Sequence, residues 1–192
     1  MAIPTPSGRL MSVNKVIELE FTDKSIDNAI NEIDKFYGDF MNRVFLFRDR
    51  VCDEIADEAQ ETFNVSSAEE SWISGVPGSF TEKPSNVSVS WNRKTKNISV
   101  VIASGSDAVW IEFGTGVYNN GAAGTSPHPM GAGLGMTIGS YGKGKGKRKV
   151  WGYYDSAGVL HKTHGVEASM PMYSAAMNMI GKVRNMALEV FK

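Results

Sequence analysis

Ile26, Ile30, Ile33, Tyr37, Phe40, Val44, Phe47 and Val51 recur at alternating steps of four and three, and Ile55, Ala59 and Phe63 continue at steps of four. This period matches the face of an α-helix. The spacing predicts one amphipathic helix over 24–63, with Thr22 or Asp23 as its N-cap. Unbroken, such a helix is about 60 Å long. A single domain of 192 residues does not cover that length by itself. Either Gly38 bends the helix or part of its apolar face packs on another subunit. A 3-4 spacing also suits a coiled coil, but the extra bulk at Phe36, Phe45 and Leu46 fits a helix laid on a sheet better.

The other elements are short. Ile17, Leu19 and Phe21 alternate with Glu18 and Glu20, which predicts a half-buried strand over 16–21. Residues 68–73 read as one more helical turn, and Gly75, Pro77, Gly78 and Pro84 mark loops. Residues 87–91 and 98–102 alternate around a polar turn at 92–97 and read as a hairpin. A short helix over 108–113 follows, with Ser106 as candidate cap. Residues 150–155 and 159–163 form a second hairpin about a turn containing Gly158. The last helix opens with Ser169 as cap and Pro171 in its first turn. Its expected apolar stripe is Tyr173, Ala176 or Met177, Ile180, Val183, Ala187 and Val190. Five of the ten methionines lie between Met170 and Met186, read as an adaptable core face rather than a partner groove.

The expected architecture is α+β: a small antiparallel sheet of hairpins, packed by one long N-terminal helix and a C-terminal helix, with a long Gly-rich loop. Residues 1–15 carry two prolines and few apolar residues and read as a flexible arm. A single domain spans 16–192, with a loop insertion at about 115–149. Net charge is −1, so no global field draws the chain to nucleic acid or membrane. No apolar run approaches the ~20 residues of a membrane helix, and the N-terminus lacks a signal-peptide pattern. The expectation is a soluble protein made in a cytoplasm, with no membrane partner. The one cysteine, Cys52, forms no internal disulfide and reads as a small core filler.

The segment Trp-Ile-Glu-Phe-Gly-Thr-Gly at 110–116 divides the chain. After it, no acidic residue occurs until Asp155. Trp110, Ile111 and Phe113 supply bulk to bury, and Gly114 and Gly116 permit backbone conformations closed to other residues. Trp110, Glu112, Phe113, Gly114 and Gly116 are therefore the candidate structural base of the loop. A loop of this length is usually functional or disordered.

Enzymatic readings find little support. Gly139-Ser-Tyr-Gly-Lys-Gly-Lys145 fits the spacing of a phosphate-binding loop, but Gly146 stands where a Ser or Thr must bind magnesium. His161 and His164 point to opposite faces if the strand continues, and neither has a cysteine or paired carboxylate nearby, whereas zinc needs three or four convergent ligands. No nucleophile elbow is present. No enzyme activity, cofactor, metal site or catalytic residue is expected. Residues 142–149 read Gly-Lys-Gly-Lys-Gly-Lys-Arg-Lys. Lys143, Lys145, Lys147, Arg148 and Lys149 are candidate contacts to phosphate or to an acidic protein surface. Contact with protein is the preferred reading.

The segment at 110–116 also resembles the hydrophobic-x-Glu-x-Gly-Thr signature of the phage tail-component family of lambdoid-type tail-completion proteins. Trp151-Gly-Tyr153, Thr163-His-Gly165 and Ala168-Ser-Met-Pro-Met-Tyr-Ser-Ala-Ala176 resemble its later motifs in the same order. Met172-Tyr173 departs from the usual aromatic followed by Met, and the Lys-Gly run is not standard. The resemblance covers about residues 25–192. It implies a non-enzymatic virion protein of a tailed bacteriophage, assembled in the host cytoplasm. Such a protein forms a homo-oligomeric ring, commonly a hexamer, in the neck between head and tail. Its partners would be connector or head-completion proteins on one side and tail-terminator or tail-tube proteins on the other. The basic run at 143–149 would face passing DNA or dock on the neighbouring ring. The competing class is a phage-encoded nucleic-acid-binding protein or small nuclease that uses 142–149.

Overall fold

The computed structural model describes residues 2–4, 10–12, 17, 20, 22–114, 126–131 and 150–191. Within the expected N-terminal arm, β1 (Ala2–Pro4) and β2 (Leu10–Ser12) pair antiparallel. Of the strand expected over 16–21, Ile17 and Glu20 are described and lie in no strand. The other four positions lie outside the described residues.

The long helix is present and continuous. Helix α1 (Asp23–Val65) has 43 residues and is about 64 Å long. Thr22 caps it, its hydroxyl accepting from the Ser25 amide at 3.3 Å. Gly38 does not interrupt it. At the other end Ser66 turns extended, and its hydroxyl donates to the Thr62 carbonyl at 2.7 Å. Burial along the predicted stripe is graded. Ala59 and Phe63 are fully buried, Val44, Phe47, Val51 and Ile55 are half-buried, and Ile26, Ile30, Ile33, Tyr37 and Phe40 are exposed.

Residues 68–73 are not a helical turn. They belong to β3 (Ser67–Ile73), which pairs with β4 (Thr81–Pro84), where only Pro84 is expected to mark a loop. Pairing on both edges of β3 outweighs its weak local preference. The first hairpin is β5 (Ser88–Thr95) with β6 (Ile98–Ser104). Its turn is only Lys96 and Asn97, so the strands run further than expected. Helix α2 (Ala108–Phe113) follows. Ser106 is not its cap: Asp107 occupies that position without a side-chain capping bond, and the Ser106 hydroxyl donates to Asp107 instead. The second hairpin is β7 (Trp151–Tyr154) with β8 (Leu160–Thr163), and α3 (Pro171–Val190) ends the fold.

The sheet order is β4-β3-β8-β7, all antiparallel, with β5-β6 a separate pair. The fold is α+β. The C-terminal half of α1 packs against the β5-β6 pair and against α3. On the hairpin side Gln60 accepts from the Val89 amide at 2.7 Å and donates to the Val87 carbonyl at 3.0 Å. Asp49 is held by Arg93 and Arg48; burial raises its pKa, but these two guanidinium bonds outweigh that and leave it lowered. Cys52 is buried as expected, and burial pushes its thiol up. On the α3 side Phe191 lies between Phe40 and Phe47, at ring separations of 5.8 and 6.0 Å. Lys182 bonds both Glu54 and Glu58 at 2.9 Å. A core of Phe63, Val87, Ala108 and Ile111 joins α1, the hairpin and α2.

Candidate functional site

Glu112 sits on α2 and is buried. Its carboxylate does not face solvent. It accepts the Met172 amide at 2.9 Å on Oε2 and the Tyr173 amide at 3.0 Å on Oε1. Those are first-turn amides of α3, which have no partner inside their own helix. The negative group also lies at the favourable end of the helix dipole. Glu112 therefore caps α3 from sixty residues away. Ser169 does not cap it. Met170 holds the cap position in a left-handed conformation, φ 51°, with no side-chain capping bond. The Ser169 amide instead donates to the Ile111 carbonyl at 2.9 Å. This brings the two chain segments into backbone contact, and Gly114 is needed there. It has φ 77°, and a Cβ on it would lie 2.9 Å from the Ala168 nitrogen.

The third bond to Glu112 comes from His128, whose Nε2 lies 3.0 Å from Oε1. His128 is 5% exposed. Its Nδ1 accepts the Met130 amide at 3.0 Å, so Nε2 carries the proton and donates to the carboxylate. The ring lies against Phe113 and Tyr173, at 4.4 and 5.1 Å between centroids. Residues 126–131 hold it there. The Ser126 hydroxyl donates to the Phe113 carbonyl at 2.7 Å, and Gly131 closes a turn onto the His128 carbonyl at 2.8 Å. One acidic side chain thus ties together α2, the start of α3 and a turn within the 115–149 insertion.

An open groove of about 380 Å³ lies over this junction, lined by Phe113, His128, Met130, Met172, Tyr173 and Ala176 together with Glu112. Its wall is mostly apolar. The Glu112 carboxylate and the His128 ring beside it are already hydrogen-bonded, so the arrangement suits docking of an apolar side chain better than acid–base work.

Of the residues expected at the loop base, Glu112, Phe113 and Gly114 are assembled here. Trp110 is 40% exposed, so it is not the buried anchor expected of it; Ile111, at 0%, is. Gly116 and the basic residues Lys143, Lys145, Lys147, Arg148 and Lys149 lie outside the described residues. The Thr-His-Gly segment is also accounted for. The Thr163 hydroxyl donates to the Glu70 carbonyl and accepts the Gly165 amide. His161 stacks on Tyr153 and bonds Asp155 at 3.0 Å, whereas His164 faces Trp72, so the two histidines do not converge. Among the described residues no group of three or more His, Cys, Asp or Glu side chains is placed to hold a metal. None of the described helices is long and apolar enough to cross a membrane. The sequence marks His128, between Pro127 and Pro129 inside a glycine-rich stretch, without giving it a role.

No family model, curated protein or solved structure matches this chain.

Proposed function

We propose that this chain is a structural virion component of a tailed bacteriophage, a tail-completion or head–tail joining protein that forms a ring in the neck. The observation that carries the reading is the apolar stripe at the N-terminal end of α1. Ile26, Ile30, Ile33, Phe36, Tyr37 and Phe40 are 41–62% exposed, on the order of 600 Å² of apolar surface on a single helix. A patch of that size lies at the upper end of what a monomer exposes, where interaction sites are common. The order of the motifs at 110–116, 151–153, 163–165 and 168–176 supports the family side of the reading. The bonding of Glu112 supports it too, because the acidic residue of the first motif caps the helix that the last motif opens. The partners are then further copies of the chain and the rings above and below it.

The reading is tested in the phage that encodes the chain. Disrupting the gene should yield filled heads and free tails that do not join, and supplying the protein in trans should restore joined particles. Joined, infectious particles from the disrupted gene would contradict it.

A further inference from the structure

We infer that the exposed stripe of α1 docks head to tail on the outer face of α3 in a second copy of this chain. The inference rests on the ring reading and names the two surfaces of its repeating contact. Helix α3 is apolar on two sides. Ala175, Met179, Met186 and Val190 face inward and are buried, while Met177 and Ile180 on the other side are 49% and 66% exposed. This outer face continues through Ala176 and Tyr173 into the groove beside Glu112, where Met130 is 56% exposed. The two surfaces match in length. From Ile26 to Phe40 a helix rises about 21 Å, and from Tyr173 to Arg184 about 17 Å, before the groove adds to it.

Charge and glycine placement support the pairing. Asp27 and Asp34 flank the α1 stripe, and exposed Arg184 lies at the far end of the α3 face. Lys182 beside it is already held by Glu54 and Glu58. Gly181 lies inside α3, where glycine costs about 1 kcal/mol relative to alanine. A Cβ there would meet nothing within 4 Å, so packing within the chain does not call for glycine. A helix approaching closely from outside gives that position a use. Pairing α1 with α1 is the less favourable alternative. Antiparallel pairing sets Asp27 and Asp34 against their own copies, and any isologous contact stops at two chains. A stripe on one element meeting a face on another is heterologous and repeats until the ring closes.

The test uses two full-length variants, Tyr37→Asp and Ile180→Asp, both altered at exposed positions. Each alone should be monomeric by light scattering. Mixed at equal concentration, they should form a species of twice the monomer mass and no larger, because one intact stripe then meets one intact face. An Ile180→Asp chain that self-associates as the wild type does, or a mixture that stays monomeric, would overturn the inference. A check that survives poor folding of either variant is Tyr37→Cys with Ile180→Cys in one chain, treated with a short bismaleimide. The double variant should give a ladder of linked copies and each single variant none, since Cys52 is buried. Dimers from Tyr37→Cys alone, or no ladder from the double variant, would also overturn it. Wild-type oligomers alongside such a result leave the ring reading standing; a wild type that stays monomeric when concentrated removes both.

Discussion

At the scale of single residues, Glu112 organises the site. Replacing it with Ala leaves two α3 amides and the Nε2–H of His128 without acceptors in a buried setting. Loss of the cap and the unsatisfied donors together should cost about 3 kcal/mol, a fall in melting temperature of roughly 6–12 °C for a chain of this size. Glu112→Gln keeps one acceptor oxygen but turns an NH2 toward the Met172 amide, which loses its acceptor, and should lose roughly 2 kcal/mol. Thermal melts of the two variants beside wild type check this; a Glu112→Ala protein that melts within a degree or two of wild type would refute the capping role. The importance of the 110–116 segment was legible in the sequence because glycines and aromatics cluster there. Its chemistry was not. Glu112 bonds partners sixteen and sixty-one residues away, and no local pattern encodes such distances. The same fact explains the misplaced Ser169 cap: a serine before a helix is a good local signal, but the acceptor arrives from another element.

At the scale of elements, the sequence pattern located the helices and the β5-β6 and β7-β8 hairpins, but it missed the β3-β4 pair and did not tell which apolar face turns inward. In α3 the expected stripe included Met177 and Ile180, which the fold leaves exposed, while Ala175 and Met179 are buried. A helix apolar on two sides has no single preferred face until its neighbours choose one. The methionines divide accordingly: Met179 and Met186 are core, and Met172 lines the groove. The α1–α3 contact makes a pH prediction. The pKa of Glu58 is lowered, first by its bond from Asn178 and then by Lys182. A carboxylate with a folded pKa below its unfolded value adds stability that is present above the unfolded pKa, 4.5 for Glu, and is lost as pH falls through the folded pKa. Melting temperature should therefore drop less steeply below about pH 4.5 in Glu58→Gln than in wild type. Parallel profiles for the two proteins would show that the bond network contributes no pH-dependent stability.

At the scale of the whole molecule, the length of α1 was the most informative feature of the sequence. The predicted stripe of this 43-residue helix is buried at Ala59 and Phe63 and exposed from Ile26 to Phe40. If that surface builds a neck ring, the basic run becomes a matter of what the ring touches. Replacing Lys143, Lys145, Lys147, Arg148 and Lys149 with Ser should leave melting temperature and oligomer mass unchanged and abolish head–tail joining in a complementation assay; intact joining by that variant would remove the run from the joining surface. The ring itself is tested most directly by the mass of the purified wild-type chain, measured by light scattering over a concentration series beside Tyr37→Asp. A neck ring built on that surface gives a closed oligomer of fixed copy number for wild type, six by the family resemblance, and a monomer for the variant. A wild type that remains monomeric across the series, or a variant with an unchanged oligomer mass, would contradict it.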